Sequence, residues 1–427
     1  VVIDHAGGCY YLEPTPPQTE PSAFPTKLSE TGLFLSVKDH VVDPALIPYS
    51  VNAPLWSDGA HKERFIALPG KSQIDFGTFR GWNLPEGAVL VKTFALDIVK
   101  DERAERLRIE TRLMTKQQNE WVGYTYLWNA EQTEATLVPR DGVDRTFTIQ
   151  TASGSKRELT WHYPSRAECM VCHSRASNFV LGLCEMQMNK EHDYNGIRDN
   201  QLRTLSHIGA LRVNALEHEG IWQQRLATAR QASLAPFPRI TNTLSLAQRT
   251  VDRHLPSLRQ QSTRLEPFAS RMLRYSGRGT YAWLKQPFTK QTITTSLLPR
   301  WPSEYRRLVD PADPTAPLEA RARSYLHSNC ATCHVEAGGG NALMELEFNT
   351  EREKMRIYDA RPQHHTYDIV EPRLIAPGHP ERSLILARLQ KRGAGQMPPL
   401  ATQLVDDEAV KLFEAWIRSL PDTSPQR

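Results

Sequence analysis

Two C-x-x-C-H motifs constrain this chain more than any other feature of its sequence. They occupy residues 169–173 and 330–334, about 160 positions apart. A C-x-x-C pair alone also occurs in thiol redox proteins and in zinc sites, but a zinc site needs four ligands, usually at short intervals. A histidine directly after each pair is typical of covalent attachment of c-type haem. Two copies favour haem over the other two chemistries.

The chemistry of haem explains the spacing within each motif. Two thiols three residues apart can share one helical turn, from which both can add to the vinyl groups of a haem. The next residue then projects toward the iron as its proximal ligand. The sequence therefore predicts two covalently attached c-type haems. The attaching thiols are Cys169, Cys172, Cys330 and Cys333, and the proximal ligands are His173 and His334.

Residues 315–421 resemble a class I cytochrome c in the order of their elements. A helical pattern leads into the second motif, a Gly-rich turn and another helical pattern follow, and a helix with Asp406 near its start closes the segment. The run GAGQMPPL lies between the last two helices. This resemblance implies an all-α domain over residues 315–427, with Met397 as the sixth ligand of the second haem. A core-filling methionine is the other interpretation of Met397.

Three further segments are predicted from the rest of the chain. Residues 1–27 are rich in proline and indicate an extended arm. Residues 28–165 contain runs such as LRIETRLMT and WVGYTYLW between turn residues, which predicts an antiparallel β-sandwich. Residues 166–314 predict a helical haem-binding domain. The expected fold class is multidomain α+β, with a β-sandwich, a central helical haem domain and an all-α class I cytochrome c domain.

These patterns leave the sixth ligand of the first haem open, because no Met-Pro loop follows the first motif. Met186, Met188, His192 and His207 are the candidates near the motif. His207 lies beside a leucine stripe in NQLRTLSHIGAL, where a histidine is usually a structural residue. Methionines at 186 and 188 are equally typical of core packing.

Several stretches together resemble an uncharacterised bacterial family of secreted di-haem c-type cytochromes. They are VNAPLWSDGAHKERFIALP, RIETRLM, WVGYTYLWNAEQTEA, YPSRAECMVCHSRASNFVLGL, NQLRTLSHIG, RARSYLHSNCATCH and GQMPPL. The resemblance implies export, a parallel β-helix protein as a candidate partner, and His207 as the sixth ligand of the first haem. Residues 211–303 depart from the family pattern and look like an insertion.

The predicted insertion is basic. Residues 211–300 carry 14 Lys and Arg against 4 Asp and Glu, whereas the whole chain has a net charge of only +4. An acidic protein or a nucleic acid could bind such a segment, but the basic residues are spread along it, which is more typical of a solvated helical surface. We therefore expect no nucleic-acid partner.

The predicted haems also indicate where the protein works. Haem attachment occurs in an oxidising compartment, so we expect a periplasmic or cell-surface protein whose signal peptide was removed before Val1. No run of 18 apolar residues is present, and no transmembrane segment is expected. Outside the cytosol, the remaining Cys9 and Cys184 are expected to form a disulfide, with two free thiols as the alternative.

Two functions are consistent with these features. An electron-transfer protein would keep both irons six-coordinate and pass electrons from a dehydrogenase to a small cytochrome or a terminal oxidase. A di-haem enzyme of the peroxidase or oxygenase type would need one iron with an open position and a nearby acid–base group, such as His207 or Glu185. We expect an electron carrier rather than a stand-alone enzyme. A docking role for the β-rich domain is compatible with that function.

Overall fold

A computed structural model describes most of the chain outside the basic segment. It covers residues 24–77, 80–151, 154–214, 294–336, 338–399 and 402–422, together with Val2–Ile3, Cys9–Tyr10 and a few residues of 218–224. Most of the predicted Pro-rich arm and most of the predicted insertion lie outside these residues. None of the described helices is long and apolar enough to cross a membrane.

The described residues form short and long strands and six α-helices. The strands are β1 Val2–Ile3, β2 Cys9–Tyr10, β3 Phe34–Ser36, β4 Val41–Val42, β5 Ile47–Pro48, β6 His61–Ala67, β7 Ile74–Asp75, β8 Val89–Lys100, β9 Arg103–Gln117, β10 Glu120–Trp128, β11 Ala135–Leu137, β12 Val143–Gln150, β13 Lys156–Tyr163, β14 Glu191–Tyr194, β15 Ile197–Asn200, β16 Leu211–Asn214 and β17 Thr294–Thr295. The helices are α1 Arg166–Cys172, α2 Glu185–Met188, α3 Gln201–His207, α4 Leu318–Asn329, α5 Leu384–Gln390 and α6 Asp407–Ser419.

An eight-stranded antiparallel sheet is the largest element of the fold. Its main order is β11-β10-β9-β8-β12-β13, and β6, with β5 beside it, pairs with the first half of β8. Strands β8 and β9 have 12 and 15 residues and pair along nearly their whole length. A bulge between Phe94 and Ala95 lies in the middle of this pairing. Because a bulge bends its strand, the β8–β9 ribbon can change direction and belong to both halves of the sheet.

The expected β-sandwich is therefore wrong. The strands predicted from residues 28–165 are present, but they join one continuous sheet instead of two packed ones. The first half of β8 pairs with β6, and its second half reaches β12 at Ile98 and Ile149. Alternation along a strand shows that one of its faces is buried, but it does not show which strands pair.

The prediction of a central helical haem domain is also wrong. Helices α1, α2 and α3 are short, and β14, β15 and β16 lie among and after them. Asn195 and Gly196 both have positive φ, which forms the tight turn of the β14–β15 hairpin. Leu183 and Leu202 pack in one apolar core with Trp82. Residues 166–214 therefore pack onto the β-rich part of the chain and share its core.

The C-terminal segment is not the expected all-α cytochrome c domain. Helices α4, α5 and α6 have 12, 7 and 13 residues, and loops, 3-10 turns and isolated bridges occupy residues 330–383 between the first two. Loop backbone groups bond to each other, as in the Ile375 amide and the Ile357 carbonyl at 2.9 Å. Residues such as Arg356 and Asp359 adopt positive φ, which a helix does not allow.

Helices α4 and α6 nevertheless pack closely at the centre of the C-terminal core. The Tyr325 ring meets the Phe413 ring edge-on, with centroids 5.6 Å apart, and both side chains are buried. The Asp406 side chain accepts the Ala409 amide at 3.1 Å, which caps α6 at the residue that the sequence places near its start.

Candidate functional site

The first C-x-x-C-H motif ends a short helix whose start is set by a capping box. The Ser165 hydroxyl accepts the Glu168 amide at 3.2 Å, and the Glu168 carboxylate accepts the Ser165 amide at 2.8 Å. Cys169 and Cys172 lie in the last turn of α1, where the His173 amide donates to the Cys169 carbonyl at 3.1 Å. Both thiols and the histidine are thus presented by one turn.

Helix α1 lies against strand β10 at Gly123. A Cβ atom at this position would come within 2.8 Å of both Cβ and Sγ of Cys169, a distance too short for carbon and sulfur atoms in contact. The sulfur of Met114 on β9 would lie 3.2 Å from the same point. Only glycine lets the strand and the helix approach this closely.

The imidazole of His173 is held in one tautomer. Its Nδ1 lies 2.7 Å from the Phe179 carbonyl, which can only accept a hydrogen bond, so Nδ1 carries the proton and Nε2 keeps its lone pair. Burial lowers the pKa of His173 to about 4, and the bond to Phe179 only partly opposes this. The ring is neutral near pH 7 and presents the nitrogen lone pair that a metal ion needs.

The second motif begins where α4 ends. The amides of Cys333 and His334 both donate to the Cys330 carbonyl, at 3.1 and 2.9 Å. The Gly-rich segment then folds back, and the Gly340 amide donates to the Cys333 carbonyl at 3.0 Å. A Cβ atom at Gly340 would come within 2.7 Å of Nδ1 of His334, so glycine is needed where the backbone meets the imidazole.

His334 and Met397 both lie near Arg388. Burial lowers the pKa of His334, the Ala342 carbonyl opposes this, and the charge of Arg388 lowers the pKa further. Nδ1 of His334 is buried and makes no hydrogen bond of regular geometry, although the Ala342 carbonyl is close enough to affect its pKa. The Met397 amide donates to the Arg388 carbonyl at 3.2 Å, and Met397 itself is half-buried.

The loop that follows Met397 is held by Asp58, from the N-terminal part of the chain. The Asp58 carboxylate accepts the amides of Gln403 and Leu404 at 2.8 and 2.7 Å, and the hydroxyl of Thr402 at 3.0 Å. Burial raises the pKa of Asp58, and these three donors lower it. A buried carboxylate with three donors is a strong fixed contact between distant parts of the sequence.

A cavity connects the two motifs. Its lining includes Cys169, Cys172 and His173 of the first motif and Ala331 and Thr332, which lie between the cysteines of the second. The space between atoms amounts to about 1770 Å³, including the open mouth. The part of it that the centre of a water-sized sphere can reach is about 240 Å³, just below the roughly 300–1,000 Å³ of a typical small-molecule site.

An electrostatic interaction between Cys172 and Cys333 also indicates that the two motifs lie close together. Burial raises the pKa of the Cys172 thiol, and the charge of Cys333 is the next largest cause. Ala176, four residues after the first motif's final cysteine, packs against the C-terminal core. The two predicted haem sites, expected in separate domains, are therefore neighbours.

The structure does not bring the predicted sixth ligands of the first haem to this cavity. His207 is exposed at the end of α3, and His192 lies on β14, outside the cavity lining. Met186 and Met188 are buried in two apolar clusters, as their interpretation as core residues requires. Burial raises the pKa of Glu185 to about 7, but this carboxyl does not line the cavity either.

His327, which is not among the predicted site residues, lines the cavity. The Phe348 amide donates to its Nδ1 at 3.3 Å, so the proton of the neutral ring lies on Nε2. Burial lowers the pKa of His327 to about 4. His327 therefore presents a hydrogen-bond donor, whereas His173 presents a lone pair. Its position one helical turn before Cys330 is the sequence signal that could have identified it.

The expected disulfide between Cys9 and Cys184 is not formed in the structure. Cys184 is a buried free thiol, and burial raises its pKa to about 11. It packs with Ala53, Met186 and Leu308. The side chain of Cys9 lies outside the described residues, although its backbone pairs with Ile3 in the β1–β2 hairpin.

A zinc-type site is not formed by the side chains that the structure describes. Among these residues, no group of three or more His, Cys, Asp or Glu side chains could hold a metal ion. Comparison with known proteins gives no match to any family model, to any curated protein or to any solved structure. The resemblance to the secreted di-haem cytochromes therefore stays a prediction.

Replacing Gly123 by alanine tests the contact between β10 and α1. The Gly123→Ala methyl group would overlap Cys169, so we expect the free energy of unfolding to fall by about 1–3 kcal/mol. Denaturant titration measures this change. Gly77→Ala is the matched control, because nothing lies within 4 Å of a Cβ atom there. Equal stability of the two variants would contradict the close approach of helix and strand.

The Asp58 contact can be tested by Asp58→Asn. This change keeps the shape of the side chain but removes the charge that three donors share, so we expect a loss of about 2 kcal/mol in the free energy of unfolding. We also expect faster proteolysis near Met397, which mass spectrometry of the fragments would locate. The exposed Asp39, which bonds only locally to Ser36, provides the control Asp39→Asn. If both variants behave alike, Asp58 does not hold the loop.

Proposed function

We propose that this protein is a di-haem c-type cytochrome that transfers electrons between a partner redox protein and an acceptor, in the periplasm or at the cell surface. The observation that carries this proposal is the cavity lined by Cys169, Cys172 and His173, which Ala331 and Thr332 of the second motif border. The charge of Cys333 acts on Cys172, so two haems attached at the two motifs would be near neighbours, and an electron could pass between them directly.

The residues around the first motif fit a covalent haem. Cys169 and Cys172 share the last turn of α1 beside the cavity, so both thiols can bond to one ring. His173 is neutral and keeps the Nε2 lone pair for the iron because its Nδ1 proton bonds to Phe179. The haem supplies one-electron redox chemistry, and the protein adjusts it through the ligands and the burial of the ring.

The residues around the second motif fit a second haem. Cys330 and Cys333 would attach it, and His334 and Met397 would bind its iron. Burial keeps His334 neutral, and both residues lie near Arg388. A thioether ligand raises the reduction potential of a haem. Electrons would therefore run from the first haem to the second, as long as no thioether ligates the first.

The proposed partners are redox proteins of the periplasm or cell surface. A dehydrogenase would supply the electrons, and a small cytochrome or a terminal oxidase would accept them. A parallel β-helix protein is a further candidate, on the resemblance alone. Neither a nucleic acid nor a membrane-spanning segment is part of this proposal.

His327 favours a second candidate function, a di-haem redox enzyme with one reactive haem. Its Nε2 carries a proton because Nδ1 accepts the Phe348 amide, and it lines the same cavity as His173, so it could donate a hydrogen bond to a molecule bound there. Such a donor beside an open iron position is the arrangement that a peroxidase or an oxygenase requires.

Counting covalently bound haems tests the proposal. In a host that matures c-type cytochromes, we expect the intact protein to have the mass of the chain plus two haems. Replacing Cys169 and Cys172 by serine, or Cys330 and Cys333 by serine, should remove one haem each. The control Cys184→Ser should retain both, because that thiol is buried in an apolar cluster. A wild-type mass equal to that of the polypeptide alone would overturn the proposal.

Electron paramagnetic resonance of the oxidised protein separates the two candidate functions. Electron transfer predicts two low-spin ferric irons, since both would be six-coordinate. One high-spin iron per molecule, which becomes low-spin on addition of cyanide, would instead support the enzyme. In that case His327→Phe should slow the reaction of hydrogen peroxide with the reduced protein, because it removes the proton donor.

A further inference from the structure

Three cations form a row across the sheet wall of the cavity. Arg64 on β6, Lys92 on β8 and Arg112 on β9 are directly paired in register, Arg64 with Lys92 and Lys92 with Arg112. Residues directly opposite in antiparallel strands point to the same face, and all three line the cavity. We call them the cation ladder. Like charges in this arrangement repel each other.

One carboxylate offsets part of this charge. Glu110, which is fully buried, accepts two hydrogen bonds from the Arg112 guanidinium at 2.5 and 2.9 Å, and the Trp161 indole donates to it at 2.8 Å. These three hydrogen bonds occupy most of the acceptor positions of the Glu110 carboxylate. Arg112 therefore has a fixed partner, and two cations of the ladder remain.

Arg64 and Lys92 have no carboxylate within ion-pair distance among the described residues. Within the described part of the chain, the guanidinium of Arg64 donates to the Lys62 carbonyl at 3.4 Å, and the Lys92 ammonium lies 4.9 Å from the centre of the Phe94 ring. Burial lowers the pKa of Lys92 well below its usual value, and Arg64 is the next largest cause. Buried charges of one sign are costly unless a group of the opposite sign joins them.

The other charged side chains of the cavity wall do not supply that group. Glu347 lies 3.2 Å from the Arg80 guanidinium, and Glu168 lies 3.0 Å from the His162 ring. Both carboxylates thus have their own cationic neighbours. Two basic side chains of the ladder thus line the cavity without a carboxylate partner among the described residues.

We propose that the cation ladder binds the two propionate carboxylates of the haem on the first motif. This inference rests on the proposed function. It places the ring across the sheet wall, with its vinyl edge at α1 and its propionate edge over β8 and β6.

The direction of the cation ladder agrees with the chemistry of haem. The vinyl groups and the propionates lie on opposite edges of the ring, so the carboxylates must lie away from the attaching cysteines. Arg112 is the ladder member nearest to them in strand order, since β9 pairs with β10, against which α1 packs, and β8 and β6 lie beyond β9. Neighbouring strands are about 4.8 Å apart, so Arg64 lies roughly 10 Å farther along the sheet. Carboxylates there would meet Lys92 and Arg64.

Lys92→Gln and Arg64→Gln in the full-length holoprotein test this assignment. We expect the propionate bending bands in the resonance Raman spectrum to shift in both variants. We also expect the midpoint potential of one haem to fall, because a lost cation stabilises the oxidised iron. A tenfold change in the redox equilibrium would appear as about 59 mV for one electron. Lys92→Arg, which keeps the charge, should resemble the wild type.

Arg106→Gln is the matched control on the same sheet. Arg106 lies on β9 like Arg112, but its side chain is largely exposed and pairs with Asp97 at 3.0 Å. This variant should change neither the Raman bands nor the midpoint potentials. If Lys92→Gln and Arg64→Gln also change neither, while both haems are attached, the inference is overturned and the proposed function stands.

Added inorganic phosphate distinguishes the propionates from a free anion. If propionates occupy the cation ladder, phosphate should cause no saturable change in the Soret band of the wild type. A saturable change that Lys92→Gln removes would show a free-anion site and overturn the propionate assignment. Absence of haem from Cys169 and Cys172 in the wild type would overturn the proposed function, and this inference with it.

Discussion

The register of the β8–β9 ribbon determines where the charges of the cavity lie. Pairing of Lys92 with Arg112 continues the row begun by Arg64 and places Glu110 beside the cations. A slip by one residue would turn each of these side chains to the opposite face of the sheet. The same ribbon carries Met114, which lies next to the close contact of β10 with α1. The position of the first motif and the charge of its surroundings thus depend on one strand pairing.

A short N-terminal segment, residues 53–58, connects elements that flank the two C-x-x-C-H motifs. The Ala53 carbonyl accepts Gln187 Nε2 at 2.8 Å and the Ser328 hydroxyl at 2.9 Å, which links α2 to α4. Two residues before Asp58, the Trp56 amide donates to the Asn329 side chain at 2.8 Å. These contacts hold residues 53–58, α2 and α4 together. The stretch APLWSD, part of the family resemblance, serves here as a connector between distant parts of the sequence.

Local chemistry could be predicted from the sequence, and long-range pairing could not. The spacing of Cys169 and Cys172 places both thiols on one turn whatever the rest of the fold does, and the Asp406 cap is equally local. The sandwich was wrong because alternation does not reveal strand order. His207 is predicted from the family resemblance and lies outside the cavity lining, whereas the packing of α4 brings His327 to the cavity. The cation ladder depends on how β6, β8 and β9 pair, and this pairing cannot be read from the individual residues.

Under the proposed function, haem attachment and folding would be coupled in two ways. The close contact at Gly123 holds Cys169, and with it the first motif, against β10. The cation ladder would act in the opposite direction, since Arg64 and Lys92 repel each other and the proposed propionates would offset this repulsion. A ligand stabilises the folded state only as far as it binds that state better than the unfolded chain, so a covalently attached ring acts through the contacts that form on folding. A haem at the first motif would use both features. Its thioether bonds would form at the turn that carries Cys169 and Cys172, and its two carboxylates would offset the repulsion between Arg64 and Lys92.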